Sequence, residues 1–168
     1  ALSEPDAGSD ATAITTTARR EGDHYVINGR KSWTSNCGLA DVYVVFSRLE
    51  QDEGGGFAAF VVDGRNAGIA VEQRLAVLSP HTVGIWTLTD CRVPAYRRIG
   101  EPGQGFLIAM KVLELFRPTV GAATLGFARR AMQEAVQRSR QRTAFKKPIA
   151  EHQLIQAKLA DMAVSVDA

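Results

Sequence analysis

Between His24 and Cys91, apolar and polar positions alternate with the period of two that a half-buried β-strand imposes. His24-Tyr25-Val26-Ile27 and Arg30-Lys31-Ser32-Trp33 flank Asn28-Gly29. Asn-Gly supplies the two positive-φ residues of a type I′ turn, so a hairpin is predicted there. Asp41 to Leu49 is rich in β-branched residues and predicts a buried strand; Phe57 to Asp63 predicts the next. Between them, Gln51 to Gly56 is acidic and then glycine-rich, the composition of a mobile loop. Ile69 to Gln73 and Val83 to Cys91 continue the alternation. Short strands at regular spacing predict a small β-barrel or sandwich.

The period changes beyond Val93-Pro94. Gly103-Gln104-Gly105 reads as a hinge, after which Phe106, Ala109, Val112, Leu113, Phe116, Val120 and Ala123 recur at three- and four-residue spacing. A helix is predicted to about Arg140, kinked at Pro118, with Gly121, Ala122, Ala123 and Gly126 allowing close approach of a neighbouring helix. After a break at Lys146-Lys147-Pro148, a second helix is predicted from about Ala150, with Ile155, Leu159 and Met162 on one face. Two long helices cannot cover their apolar faces alone; they need two more helices or a partner chain. The fold class expected is therefore α+β: a β domain over residues 1–100, then two helices over residues 101–168.

Charge narrows the function classes. Twenty Lys and Arg against eighteen Asp and Glu leave +2, too near neutral to point to nucleic acid or an anionic membrane surface. No apolar run approaches the roughly 20 residues that cross a bilayer. Ala1 to Asp10 has neither a basic start nor an apolar stretch, so no signal peptide is expected. Cys37 and Cys91 lack the spacing of a disulfide scaffold or a zinc site, so no metal is expected and a reducing compartment is the default. The chain opens without methionine and stops within a helical pattern, so it reads as a fragment.

Three stretches carry candidate chemistry. In Ser3-Glu4-Pro5-Asp6-Ala7-Gly8-Ser9-Asp10, a turn can aim backbone N–H groups at an anion beside two hydroxyls; it also fits an ordinary polar turn. In Trp33-Thr34-Ser35-Asn36, an indole can lie against a flat ring while a hydroxyl faces the ring edge; it also fits a half-buried strand tryptophan. In Arg142-Thr143-Ala144-Phe145 followed by Glu151-His152-Gln153, an arginine and an aromatic can hold a pyrophosphate and cover an adenine; they also fit a basic helix end.

In this order, and together with Glu101-Pro102-Gly103-Gln104-Gly105-Phe106 and Gln153 to Met162, these stretches resemble the acyl-CoA dehydrogenase family over essentially the whole chain. The resemblance implies a central β-barrel up to about Gly100, followed by the first two helices of a C-terminal four-helix bundle. It implies an FAD enzyme that oxidises an acyl-CoA thioester to the trans-2-enoyl form, with hydride passing to flavin N5. By the same resemblance, Leu2, Ser3, Gly8 and Ser9 line the flavin, with Ser9 also near the acyl-CoA. Trp33, Thr34 and Ser35 cover the flavin ring and its N5. Arg142 and Phe145 reach the FAD of a neighbouring subunit, and His152 and Gln153 also lie near a cofactor. Glu114 and Arg117 fall where the family contacts CoA, although their i,i+3 spacing equally suits a surface ion pair.

The resemblance further implies a homo-oligomer, dimer or tetramer, an electron-transfer flavoprotein as acceptor, and a cytoplasmic or mitochondrial-matrix setting. It places the catalytic glutamate either at the position of Phe116 or beyond Ala168. No catalytic base is therefore expected among these residues. Lys146 departs from the family, which usually has Gly after Arg-x-x-Phe, and Ser3 stands where Thr is common. A flavin monooxygenase, a nitroalkane oxidase or an inert truncated product on the same fold are the other readings.

Overall fold

A computed structural model describes residues 1–51, 54–78 and 81–168. The acidic pair of the expected mobile loop, residues 52 and 53, lies outside the described residues. The chain divides into two compact units, Ala1–Val112 and Leu113–Ala168.

Among the described residues, the first unit holds seven strands: β1 (Thr17–Glu21), β2 (His24–Ser35), β3 (Val42–Leu49), β4 (Phe57–Asp63), β5 (Ile69–Leu75), β6 (Val83–Pro94) and β7 (Arg98–Ile99). They form one sheet in the order β5-β6-β2-β1-β3-β4-β7. Its pairs are antiparallel except β1 with β3. The sheet is open, with β5 and β7 as its edges. It nevertheless curls over. Strands three places apart in a flat sheet are separated by about 14 Å. Here the rings of Tyr43 on β3 and Trp86 on β6 are 4.7 Å apart, and those of Tyr25 on β2 and Phe60 on β4 are 4.8 Å apart. The expected barrel is thus approached by curling, without closure.

Alternation builds the core between the curled halves. Tyr25 and Ile27, Tyr43 and Val45, Ala58, Phe60 and Val62, and Trp86 and Leu88 are all buried in one cluster. Full burial of each larger side chain stabilises by about 1.5–3 kcal/mol. A second cluster joins Phe46 and Ala59 to Ala7, Ile14 and Ala109.

The predicted hairpin at Asn28-Gly29 is not there. β2 runs through it as one twelve-residue strand, and the turn is Gly22-Asp23, between β1 and β2, with Gly22 at φ 63°. Gly29 serves close approach instead: a Cβ on it would stand 2.3 Å from Thr16 Oγ1 and 2.7 Å from Thr16 Cα. The Asn28 amide reaches across to β6, accepting from Asp90 N at 2.8 Å, where the register shifts.

Helix α1 (Gly105–Gln141) begins in the first unit and ends in the second, continuing through Pro118. Thr119 Oγ1 donates to Phe116 O at 2.7 Å beside the hydrogen bond that proline cannot make. In the second unit, β8 (Thr143–Ala144) and β9 (Lys147–Pro148) form a tiny antiparallel ribbon. Its turn is Phe145-Lys146, at φ 52° and 66°. A single 3-10 turn (Ile149–Glu151) then takes up the residues expected to open the second helix, so α2 spans Gln153–Asp167. Ile155, Leu159 and Met162 do share a face, lining a furrow of about 220 Å³ with Ala135 and Ser139 of α1. Leu115, Phe116, Val120, Leu125 and Phe127 stay exposed. No described helix is long and apolar enough to cross a membrane.

Candidate functional site

β1 is short, so the far halves of β2 and β3 are not joined through it. The segment Ala1–Glu4 lies between them. Ala1 O accepts from Phe46 N at 3.1 Å on β3, and Ser3 O accepts from Ser32 N at 2.9 Å on β2. The segment ends in a tight turn at Pro5-Asp6, closed by Glu4 N to Ala7 O at 2.9 Å and Ala7 N to Glu4 O at 3.2 Å.

The Glu4 carboxylate is buried and heavily bonded. Its Oε2 accepts from Thr15 N at 2.7 Å and Thr15 Oγ1 at 2.8 Å. Its Oε1 accepts from Thr16 N at 3.0 Å, Thr16 Oγ1 at 2.5 Å and Lys31 Nζ at 2.9 Å. Burial works to raise its pKa, but the hydrogen bonds from Thr16, Lys31 and the Thr15 and Thr16 backbone outweigh burial and hold the carboxyl at about 2. Burial pushes the Lys31 ammonium down, opposed by Glu4.

Beyond Lys31, β2 bulges. Lys31 pairs with Trp86 and Thr34 with Gly84, three residues of advance against two. The extra residue is accommodated with Trp33 at φ 56°, a conformation costly for a bulky side chain, and its indole is left 65% exposed. Thr34 points back inward, and its Oγ1 accepts from the buried Trp86 Nε1 at 2.8 Å. Tyr43 then fixes the turn after β2: its hydroxyl donates to Asn36 O and accepts from Gly38 N, both at 2.8 Å.

Strip, bulge and β3 enclose a cleft of about 390 Å³, lined by Ala1 to Ser3, Ser32 to Asn36, Ala40 and Val42 to Val44. It brings together five of the expected residues: Leu2, Ser3, Trp33, Thr34 and Ser35. The Ser32 hydroxyl, at this cleft, is buried without a hydrogen-bond partner among the described residues. Gly8 and Ser9 are exposed after the Pro5-Asp6 turn and are not among the cleft's lining residues.

The other expected residues lie in the second unit. Arg142 is exposed at the end of α1, and Phe145 stands out on the ribbon turn, 91% exposed. The rings of Phe145 and His152 meet edge to face at 6.0 Å, and Gln153 opens α2. Glu114 and Arg117 are exposed on α1, and the i,i+3 ion pair between them is not formed among the described residues. No described group of His, Cys, Asp and Glu could hold a metal.

Sequence reasoning missed Glu4 and Lys31. For Lys31 a signal existed: it falls in alternation with Tyr25, Ile27 and Gly29, the inward face of β2. The expected turn at Asn28-Gly29 broke that register. For Glu4, no local pattern separates a buried carboxylate from a solvated one.

Residues 1–89 match the family model for the acyl-CoA dehydrogenase middle domain, and residues 103–168 match that for the acyl-CoA dehydrogenase C-terminal domain. Cyclohexane-1-carbonyl-CoA dehydrogenase of Geobacter metallireducens is 40% identical over 170 residues, covering 99% of this chain and 44% of that protein. The solved butyryl-CoA dehydrogenase of Megasphaera elsdenii superposes with a TM-score of 0.91 at 36% identity, covering 99% of this chain and 44% of that one. The acyl-CoA dehydrogenase of Bacillus anthracis complexed with FAD gives 0.91 at 39% identity, covering 99% and 29%. The chain thus spans less than half the length of these relatives. Two family models that together cover most of the chain, joined to one curled sheet and a long helix in the same order, show that it belongs to the acyl-CoA dehydrogenase family.

Proposed function

We propose that the complete protein is an FAD-dependent acyl-CoA dehydrogenase that oxidises an acyl-CoA thioester to its trans-2-enoyl form. The observation that carries this is the bulge on β2. It holds Trp33 in a strained conformation with its indole exposed, while Thr34 is locked inward beside it. Strain of this kind, in a cleft lined with hydroxyls, fits a flat polar-edged ring better than an ordinary strand end. The residues present therefore suit the flavin.

FAD, when bound, supplies a hydride acceptor at N5. Trp33 covers the ring, Thr34 and Ser35 offer hydroxyls to its edge, and Leu2 and Ser3 form the opposing wall, with Gly8 and Ser9 beyond it. Arg142 and Phe145 are assigned to a neighbouring subunit's FAD, which makes the protein a homo-oligomer, and His152 and Gln153 are assigned a place near a cofactor. Ser9, Glu114 and Arg117 are assigned to the acyl-CoA. An electron-transfer flavoprotein is the proposed acceptor. In this reading residues 1–100 are the flavin-binding β-barrel domain, and residues 101–168 supply the first two helices of the C-terminal bundle.

The test is spectroscopic. The complete protein should purify yellow, and octanoyl-CoA should bleach it anaerobically; in air, with an electron-transfer flavoprotein supplied to take the electrons, turnover should consume no oxygen. A colourless protein whose Trp33 fluorescence is not quenched at saturating FAD would overturn the reading. Oxygen uptake with an alternative substrate would favour a monooxygenase or oxidase instead.

A further inference from the structure

Glu4 and Lys31 pose a question that stability does not answer. Their side chains are 4% and 0% exposed. A buried ion pair is weak evidence for stability, because an apolar pair of similar volume often does as well or better. What an apolar pair cannot do is hold several backbone segments at fixed positions by directed bonds.

That is what this pair does. Lys31 Nζ donates to Leu2 O at 3.0 Å as well as to Glu4 Oε1. Glu4 accepts from both Thr15 and Thr16, at the entry to β1. Three segments therefore meet on one pair: the Ala1–Glu4 strip, the approach to β1, and β2. Lys31 is also the last residue of β2 in register before the bulge that turns Trp33 outward. Leu2 and Ser3 form one wall of the cleft, and Trp33 to Ser35 form the other. The pair ties the carbonyl of one wall to the residue from which the other wall springs.

We infer that Glu4 and Lys31 are positioning residues that set the gap between the two walls of the cleft, and thereby its affinity for the flat ring it takes. This rests on reading the cleft as the flavin site. Loss of the bonds lets the strip shift along β2. The Ser3 O to Ser32 N and Ala1 O to Phe46 N hydrogen bonds should loosen with it.

The experiment uses the complete protein, with Glu4→Gln/Lys31→Met to remove both charges and Glu4→Asp to keep the carboxylate one methylene shorter. Two quantities are read beside the melting temperature: the FAD dissociation constant by calorimetry, and amide hydrogen exchange at Ser32 and Phe46 in the flavin-free protein. The expected result is a double variant that still folds, with a lowered melting temperature, exchanges faster at those two amides, and binds FAD at least about tenfold more weakly. Glu4→Asp should show the same changes to a smaller degree, and it decides the matter if the double variant does not fold. Unchanged exchange and unchanged FAD affinity in a folded variant overturn the inference and leave the pair a plain core contact. A wild-type protein that takes up no FAD overturns the reading of the cleft instead. A wild type that binds FAD, with variants that bind it equally, overturns the role of the pair alone.

Discussion

The buried indole of Trp86 donates to Thr34 Oγ1 at 2.8 Å, and this bond fixes the inward phase of β2 just beyond its bulge. A hydroxyl accepts and donates, so with the indole N–H on its oxygen the Thr34 hydrogen remains available to a ligand edge. Thr34→Val keeps the shape but strands the indole N–H. The expected loss is about 1–3 kcal/mol of stability, read from urea denaturation. Thr34→Ser keeps the oxygen and should lose less than half as much. Equal losses in the two variants would mean that packing, and not this hydrogen bond, holds the strand.

Gly29 is required for reasons that differ from those its sequence context suggested. A Cβ there would meet Thr16 at side chain and backbone alike, so trimming the neighbour cannot make room. Gly29→Ala should destabilise by about 1–3 kcal/mol, and by a similar amount when both proteins compared carry Thr16→Ala, because the 2.7 Å approach to Thr16 Cα remains while the lost bond from Thr16 to Glu4 cancels. A Gly29→Ala cost that vanishes in the Thr16→Ala background would show the contact to be one of side chain only.

These two positions mark the limit of what was legible. Strand alternation located β3, β4 and β6 to within a few residues, because each buries one face on the core; β5 was located as well, although on this edge strand only Ile69 packs partly against that core. The three- and four-residue period located α1, and its apolar residues from Leu115 to Phe127 are exposed in these residues, as two helices without cover require. The Asn28-Gly29 turn misled because Gly serves close approach as readily as positive φ. Among site residues, the cleft gathers Leu2, Ser3 and Trp33 to Ser35. The inward phase of Lys31 was legible in the alternation of β2, but its pairing with Glu4 was not, since it joins residues 27 apart in sequence. The bulge that exposes Trp33 is likewise a matter of pairing between β2 and β6, not of the residues near the tryptophan.

Glu4 should also give the protein an acid-sensitive step. Its folded pKa of about 2 lies below the ordinary 4.5, so the native state binds its proton less readily than the unfolded chain does. The stabilisation is complete above pH 4.5 and is lost as the pH falls towards 2. Between pH 7 and pH 3 the loss from this group should be about 2 kcal/mol. Denaturant midpoints at the two pH values, compared with those of Glu4→Gln, isolate it: the variant should show a smaller drop. An identical drop in both would assign the acid sensitivity to other carboxylates.

Arg142 and Phe145 carry the proposed assembly. Phe145 is almost fully exposed on a turn in which both residues have positive φ, so an aromatic is held out from the second unit with only the His152 ring at its edge. If a neighbouring subunit's cofactor fills that space, the complete protein sediments as a dimer or a dimer of dimers. Arg142→Ala should then release flavin during gel filtration while the oligomer persists. A monomeric complete protein, or an Arg142→Ala variant that keeps its flavin, would contradict the assignment.

The last prediction concerns the proton that leaves the substrate. The resemblance to the family puts one position for the catalytic glutamate immediately before Arg117 on α1, where this sequence has Phe116, which cannot accept a proton. Glu114 is the nearest carboxylate on the same helix. Two residues at about 100° each place it roughly 200° around the axis from Phe116, on nearly the opposite side. A general base must come within hydrogen-bond reach of the proton it takes, so Glu114 cannot stand in without rotating the helix. The base should therefore lie outside these 168 residues. Supplied with FAD, the isolated chain should leave the flavin colour unchanged on anaerobic addition of octanoyl-CoA. In the complete protein, Glu114→Gln should raise the octanoyl-CoA concentration needed for half-maximal bleaching. It should not lower the saturating rate by the roughly 10²–10⁴-fold that loss of a general base produces. A collapse of the saturating rate in Glu114→Gln would instead put the base on α1.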